Sequence, residues 1–192
     1  WLNDATVRFE ELPFNFETGR LFPKIVHDIM DAQDEVGAIP CTVPFIYGTQ
    51  PTDPVCSSFL IAVKQAYLHH GDTTLLREAY PALCAWNDRI YQMSNDGIVS
   101  NTLYGDWASP EDCCMEIAPF SVVTPGAILS TGYCYYNARL LARFAEILSL
   151  EQDAAAHRNR AEMIRMAMLQ KWLQEDGTFA SGSQACQAFA LW

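Results

Sequence analysis

Between Glu17 and Gln33 the apolar residues Leu21, Phe22, Ile25, Val26, Ile29 and Met30 recur every three or four positions, which predicts one helical face. Pro23 stands near the start of that helix, where its missing N–H matters least. The same period over Val55–His70 (Phe59, Leu60, Val63, Ala66, Tyr67) predicts a second helix, ended by Gly71. Asp72 then reads as the N-cap of a helix carrying Leu75, Leu76, Ala79, Leu83, Trp86 and Ile90, with Pro81 as a kink or a break. Tyr133–Leu148 and Asp153–Leu173 predict an adjacent pair joined near Ser149, and a last helix opens around Ser183. A short first helix is expected over Asp4–Leu12, ahead of Pro13.

Strand signals are confined to three short pieces: Val36–Pro40, Asp96–Ser100 and Asp176–Ala180. Each follows a helix and turns on a glycine, and Gly37, Gly97 and Gly177 recur at intervals of 60 and 80 residues. One loop and two helices separate successive pieces, so the chain is an internal repeat of helical hairpins. Within each hairpin the first helix is rich in small and aromatic residues, as in Thr131-Gly132-Tyr133-Cys134-Tyr135-Tyr136. The second is charged, as in His157-Arg158-Asn159-Arg160-Ala161-Glu162. A buried inner helix and a half-exposed outer one account for the difference. The expected fold is all-α: a partial (α/α)6 toroid, about half of the ring, with short β pieces in the loops and residues 1–192 forming a single partial domain. A solenoid of the same hairpins is the alternative. The long aromatic loops all precede inner helices, which gathers them at one mouth and favours a pocket.

Half of the residues are hydrophobic and 18% are charged, which excludes a disordered tail. The 12 Lys and Arg against 23 Asp and Glu give a net charge of −11, so nucleic acid is not an expected partner. A neutral, polyhydroxylated ligand suits an acidic chain with 12% aromatics better. No apolar run reaches the roughly 18 residues of a membrane span. The chain opens on Trp1 without an initiator Met and ends inside an apolar pattern, and is therefore read as an internal piece of a longer protein. The seven cysteines lack a C-x-x-C pair, and Cys113 and Cys114 are adjacent. They read as small buried hydrophobes of a reducing, cytoplasmic compartment. No cofactor and no metal are expected.

Three stretches could carry chemistry. In the first, Trp1–Glu11, Asp4 and Glu11 could share a helical face, or Asp4 could pair with Arg8. The second, Tyr104-Gly105-Asp106-Trp107-Ala108-Ser109-Pro110-Glu111-Asp112, puts aromatics and carboxylates in one loop. Carboxylates accept hydrogen bonds from sugar hydroxyls, and a flat indole stacks on the C–H face of a pyranose. In the third, Phe45–Pro54, Asp53 and Tyr47 could face the mouth, although Asp53 before Pro54 also reads as a turn and cap. His69 and His70 suit a helix C-terminus, and His27 and His157 have no evident partners. Phosphate-loop, G-x-S-x-G and H-E-x-x-H patterns are absent from the sequence.

Trp1-Leu2-Asn3-Asp4-Ala5, then Tyr104-Gly105-Asp106-Trp107, then Thr124-Pro125 before Thr131-Gly132-Tyr133, resemble the catalytic domain of bacterial-type α-L-rhamnosidases, glycoside hydrolase family 78. The resemblance covers the whole chain and implies a six-hairpin toroid that hydrolyses terminal α-L-rhamnose with inversion. The family's acidic motif runs D-x-x-x-R-x-E-x-x-x-W-x-x-D. Trp1 and Asp4 match its last two positions, and Trp107 matches a tryptophan of the sugar site. The motif's general-acid Glu would lie upstream of Trp1, and the general base in a later hairpin. The resemblance thus implies substrate-binding residues Trp1, Asp4, Asp106 and Trp107 and no catalytic residue within this chain. It also implies a rhamnoside as partner and a need for the rest of the parent chain to close the ring. Val55 and Cys56 stand where the family often has a tryptophan. The competing readings are an (α/α)6 glycosidase for another sugar and a non-catalytic helical-repeat binding or scaffold module.

Overall fold

The computed structural model describes residues 1–100, 104–106 and 123–192. Trp107, Glu111, Asp112, Cys113 and Cys114 lie outside the described residues. The helices are α1 (Leu2–Arg8), α2 (Leu12–Asn15), α3 (Leu21–Ala32), α4 (Ser58–His70), α5 (Thr73–Gln92), α6 (Gly126–Ile147), α7 (Glu151–Trp172) and α8 (Gln184–Leu191).

Helix α4 is the centre of the core. Ser58 to Val63, Gln65 and Ala66 are all buried, and only the last turn, Leu68 to His70, is open to solvent. Helices α1, α3, α5 and α6 pack around it, and α6 in turn carries α5, α7 and α8. α3, α5 and α7 each bury a single stripe; in α7 this is Ala154, His157, Ala161, Ile164, Met168 and Trp172. That pattern separates an inner row, α1, α4, α6 and α8, from an outer row, α3, α5 and α7. Trp86, Phe22, Phe59, Phe144 and Leu141 fill the space between the rows. Each such side chain stabilises the fold by about 1.5–3 kcal/mol through loss of contact with water.

The hairpin hinges follow from local chemistry. Gly71 closes α4 in the left-handed conformation at φ 65°, and the Asp72 carboxylate accepts the Leu75 N–H at 2.9 Å to start α5. At the other end Gly37, Gly97 and Gly177 all take positive φ, at 84°, 81° and 85°, so the sequence repeat is also a conformational repeat. The expected strand pieces are tight turns, with isolated bridges Asn95↔Ile98 and Leu173↔Phe179 among the described residues. A Cβ on Gly37 would lie 2.6 Å from the Ala85 carbonyl oxygen, which is why the first turn can press directly on α5.

Several boundaries differ from the periodicity. The first helix stops at Arg8, and Pro13 lies in the first turn of α2, where no N–H is needed. α3 begins at Leu21 and α4 at Ser58, later than the apolar runs suggest. α5 runs unbroken through Pro81. That residue is exposed, so water can serve the carbonyl it leaves unpaired. α6 starts at Gly126 and absorbs the Thr131-Gly132 pair. Gly132 is inside a helix because Phe189 of α8 occupies the space of its missing side chain; a Cβ there would lie 2.3 Å from the ring.

The outer helices α5 and α7 are joined by a buried polar contact. His157 Nε2 lies 3.2 Å from the Tyr80 hydroxyl and 3.7 Å from the Cys84 sulfur, and Tyr80 donates to Asp153 at 3.2 Å. His27 also has a neighbour, the Glu78 carboxylate at 3.3 Å. Both histidines therefore have the partners that sequence alone did not reveal. Burial, and secondarily the Arg160 charge, hold His157 below its ordinary value of 6.5. Asp88 and Asp153 pull the other way.

Replacing Asp72 by Ala should cost about 1 kcal/mol in urea unfolding, the worth of one N-cap. Gly37→Ala should cost more, about 2–4 kcal/mol, because left-handed strain adds to a backbone clash. The folded pKa of His157 is depressed, so its neutral form is favoured in the native state. The unfolded chain then binds the extra proton, and stability falls as pH drops below about 6.5. Unfolding free energies at pH 8 and pH 5.5 should differ less in His157→Gln than in the unsubstituted protein.

Candidate sugar-binding rim

The inner helices α1, α4, α6 and α8 all begin at one end, and the long connections meet there. Trp1 is the N-cap residue of α1. The Leu2 N–H donates to the Cys41 carbonyl at 2.9 Å, which pins the start of α1 to the loop before α4. The Trp1 indole meets Tyr47 edge-on, with centroids 6.3 Å apart and planes at 69°, and is 54% exposed. Tyr47 is held by its backbone: its carbonyl accepts the Thr42 hydroxyl at 3.1 Å and the Cys41 thiol at 3.3 Å. The Cys41 sulfur also accepts the Thr49 N–H at 3.2 Å, closing the loop on itself.

Asp53 lies beneath this loop and is 1% exposed. Its Oδ1 accepts the Val55 N–H at 3.1 Å and the Ser130 hydroxyl at 2.7 Å, and its Oδ2 accepts the Tyr104 N–H at 3.2 Å. The turn before α4, the body of α6 and the Tyr104-Gly105-Asp106 segment are thereby joined at one carboxylate. Asp53 does form the expected turn, but it is buried under the mouth instead of facing it. The Tyr104 side chain reaches the Cys41 thiol, and burial above all pushes its phenol well above the usual range, so it stays neutral. Two residues on, Asp106 is half-buried and its Oδ2 accepts the Thr124 hydroxyl at 3.0 Å. Thr124 Oγ1 and Ser183 Oγ, 2.7 Å apart, link that carboxylate to the N-cap of α8.

Of the residues singled out in the sequence, Trp1 and Asp106 belong to this connected end, although no direct bond joins them. Asp4 is exposed on the first turn of α1. Its alternative partner, Arg8, binds Glu11 instead, at 2.8 Å. Trp107 falls outside the described residues. In the turn into α4, Val55 is buried and Cys56 fully buried. Thr52 donates to the Cys56 sulfur at 3.0 Å, and burial raises the thiol far beyond its ordinary range. Cys56 is therefore an inert packing residue. Among the described residues no group of three or more His, Cys, Asp and Glu side chains gathers as a metal site. A separate cleft of about 480 Å³ is lined by Tyr133, Ala188, Phe189, Leu191 and Trp192. Its lining is aromatic and aliphatic.

What such a rim can do is bind an uncharged polyol. Carboxylates accept hydroxyl protons, and aromatic edges and faces receive C–H groups. The sequence marks Asp53 as a residue that could face the mouth, but marks neither its partner Ser130 nor the link from Thr124 to Ser183. Asp53-Pro54 signals a turn, but no local pattern points to partners 51 to 77 residues away.

Residues 1–192 match the family described as the bacterial alpha-L-rhamnosidase 6 hairpin glycosidase domain. The chain is 27% identical over 196 residues to an alpha-L-rhamnosidase of Streptomyces avermitilis; the match takes in all of this chain and 18% of that protein. It is 20% identical over 192 residues to one from an Alteromonas species, again over its whole length and 21% of the relative. The alpha-L-rhamnosidase structure from Dictyoglumus thermophilum superposes over the full chain with a TM-score of 0.92 at 28% identity, using 21% of that chain. The Streptomyces avermitilis enzyme complexed with L-rhamnose shares the fold, with a TM-score of 0.86 at 24% identity, over the full chain and 18% of its own. The chain thus spans about a fifth of the length of these relatives. Matched from its first residue to its last, this all-α chain belongs to the bacterial alpha-L-rhamnosidase six-hairpin glycosidase domain family.

Proposed function

We propose that the protein carrying this chain is a glycoside hydrolase that releases terminal α-L-rhamnose from rhamnosides with inversion. The observation that carries the reading is the match of the whole chain to a rhamnosidase domain, with aromatic and carboxylate side chains gathered where its inner helices begin. In this reading Trp1 and Trp107 are apolar wall for the sugar, and Asp4 and Asp106 accept its hydroxyl protons. Asp106 suits the task because the Thr124 bond orients the carboxylate through one oxygen and leaves the other for a ligand. Rhamnose has a methyl group where most hexoses have a hydroxymethyl, so an indole wall favours it.

Inversion needs two further carboxyl groups. One protonates the leaving oxygen while the other activates water on the opposite face, and the pair stands about 6.5–9.5 Å apart to admit that water. Both lie outside this chain in our reading, and the remaining hairpins supply them while closing the ring. The five described cysteines are all free thiols, which supports a reducing compartment such as the cytoplasm. No described helix is long and apolar enough to cross a membrane.

The whole protein should hydrolyse an aryl α-L-rhamnoside and release the β-anomer first, as followed by NMR. The 192-residue chain alone should show no turnover. Activity on another aryl glycoside of a panel, with none on the rhamnoside, would reassign the sugar. Asp106→Asn and Trp1→Ala in the whole protein should each weaken substrate capture. For Asp106→Asn, loss of a hydrogen bond to a charged group predicts a rise in KM of roughly 10- to 100-fold.

A further inference from the structure

We infer that Asp53 is a positioning residue for the sugar site, acting through the backbone of the segment that carries Asp106. The inference rests on the rhamnosidase reading and adds to it a residue that does not touch substrate. A buried carboxylate is costly to keep unless several donors satisfy it. Among the described residues, Asp53 receives donors from three separate parts of the chain: the Val55 N–H at 3.1 Å, the Ser130 hydroxyl at 2.7 Å and the Tyr104 N–H at 3.2 Å. The first of these shapes the turn into α4. The second anchors the carboxylate to α6, whose Ser130 is itself fully buried. The third is different in kind. It fixes the backbone just two residues before Asp106, on a segment that belongs to no helix or strand.

The two ends of that short segment are thus held by unlike means. Tyr104 is tethered to Asp53, while Asp106 is tethered to Thr124 and, through it, to Ser183 at the start of α8. A carboxylate that must meet a sugar hydroxyl has to be placed within a few tenths of an ångström, and a loop alone does not provide that. Asp53 transfers the rigidity of α4 and α6 to the loop. Its charge matters beyond its shape. Among the described residues three donors converge on its two oxygens, and an amide in its place would turn one acceptor into a donor facing an N–H or a hydroxyl.

The test uses the whole protein and two kinds of readout. In Asp53→Asn and Ser130→Ala, KM for an aryl α-L-rhamnoside should rise about tenfold while kcat changes less than twofold. The Tyr104 amide should exchange with deuterium at least tenfold faster. Ser130→Thr, which keeps the hydroxyl, should restore both. Asp72→Ala serves as the control, because it costs stability at the opposite end of the bundle and should move neither. If Asp53→Asn unfolds the protein, Ser130→Ala and Ser130→Thr carry the comparison. Unchanged amide exchange together with unchanged KM would overturn the assignment, as would an equal response in Asp72→Ala. Should the unsubstituted protein cleave no rhamnoside, the functional reading fails, yet faster exchange at Tyr104 alone would still establish the tether.

Discussion

The burial of α4 from Ser58 to Ala66, broken only at half-buried Lys64, is the constraint on which the rest of this structure depends. A helix apolar on almost every side cannot rest on a surface; it must be surrounded. Here α1, α3, α5 and α6 surround it, and that arrangement forces an inner row and an outer row. Hairpin connectivity then does the rest. Because inner and outer helices alternate in the chain, every inner helix begins at the same end, and the long connections accumulate there. The site's position is a consequence of the layering.

Two kinds of joint hold the layers in register. One is steric: Gly37 lets a turn sit on Ala85, and Gly132 lets Phe189 press into α6. The other is polar and buried, with Asp53 joining three parts of the rim and His157 joining α5 to α7 through Tyr80 and Cys84. Exposed ion pairs such as Arg165–Glu162, 2.6 Å apart on one turn of α7, contribute little beside these, because water screens them.

The helices were largely legible because a 3.6-residue period survives in any sequence that must bury one stripe. Gly71-Asp72 was legible as a stop and a start because both act on their own neighbours. The start of α6 was misplaced because Gly132 looks like a breaker, and only the presence of Phe189 explains it. Pro81 misled for a related reason: whether a proline breaks a helix depends on which face it occupies. In the rim, Trp1, Asp4 and Asp106 drew notice from residue type and from likeness to a known motif. Asp53 forms the turn that its sequence signals, but it does not face the mouth, because its carboxylate is buried among donors from other segments.

By itself, then, the amino-acid order determined the elements, their alternation and the repeat of glycine turns, since each of these depends on residues within a few positions of one another. It also carried enough of a family pattern to place the chain in its family. Which polar groups meet was decided only by tertiary structure. Asp53 with Ser130, Asp106 with Thr124 and Ser183, and His157 with Tyr80 are pairings across separate helices. Such a contact leaves no local signature, because its energy is realised only after the hydrophobic layers have brought distant segments together and excluded water from between them.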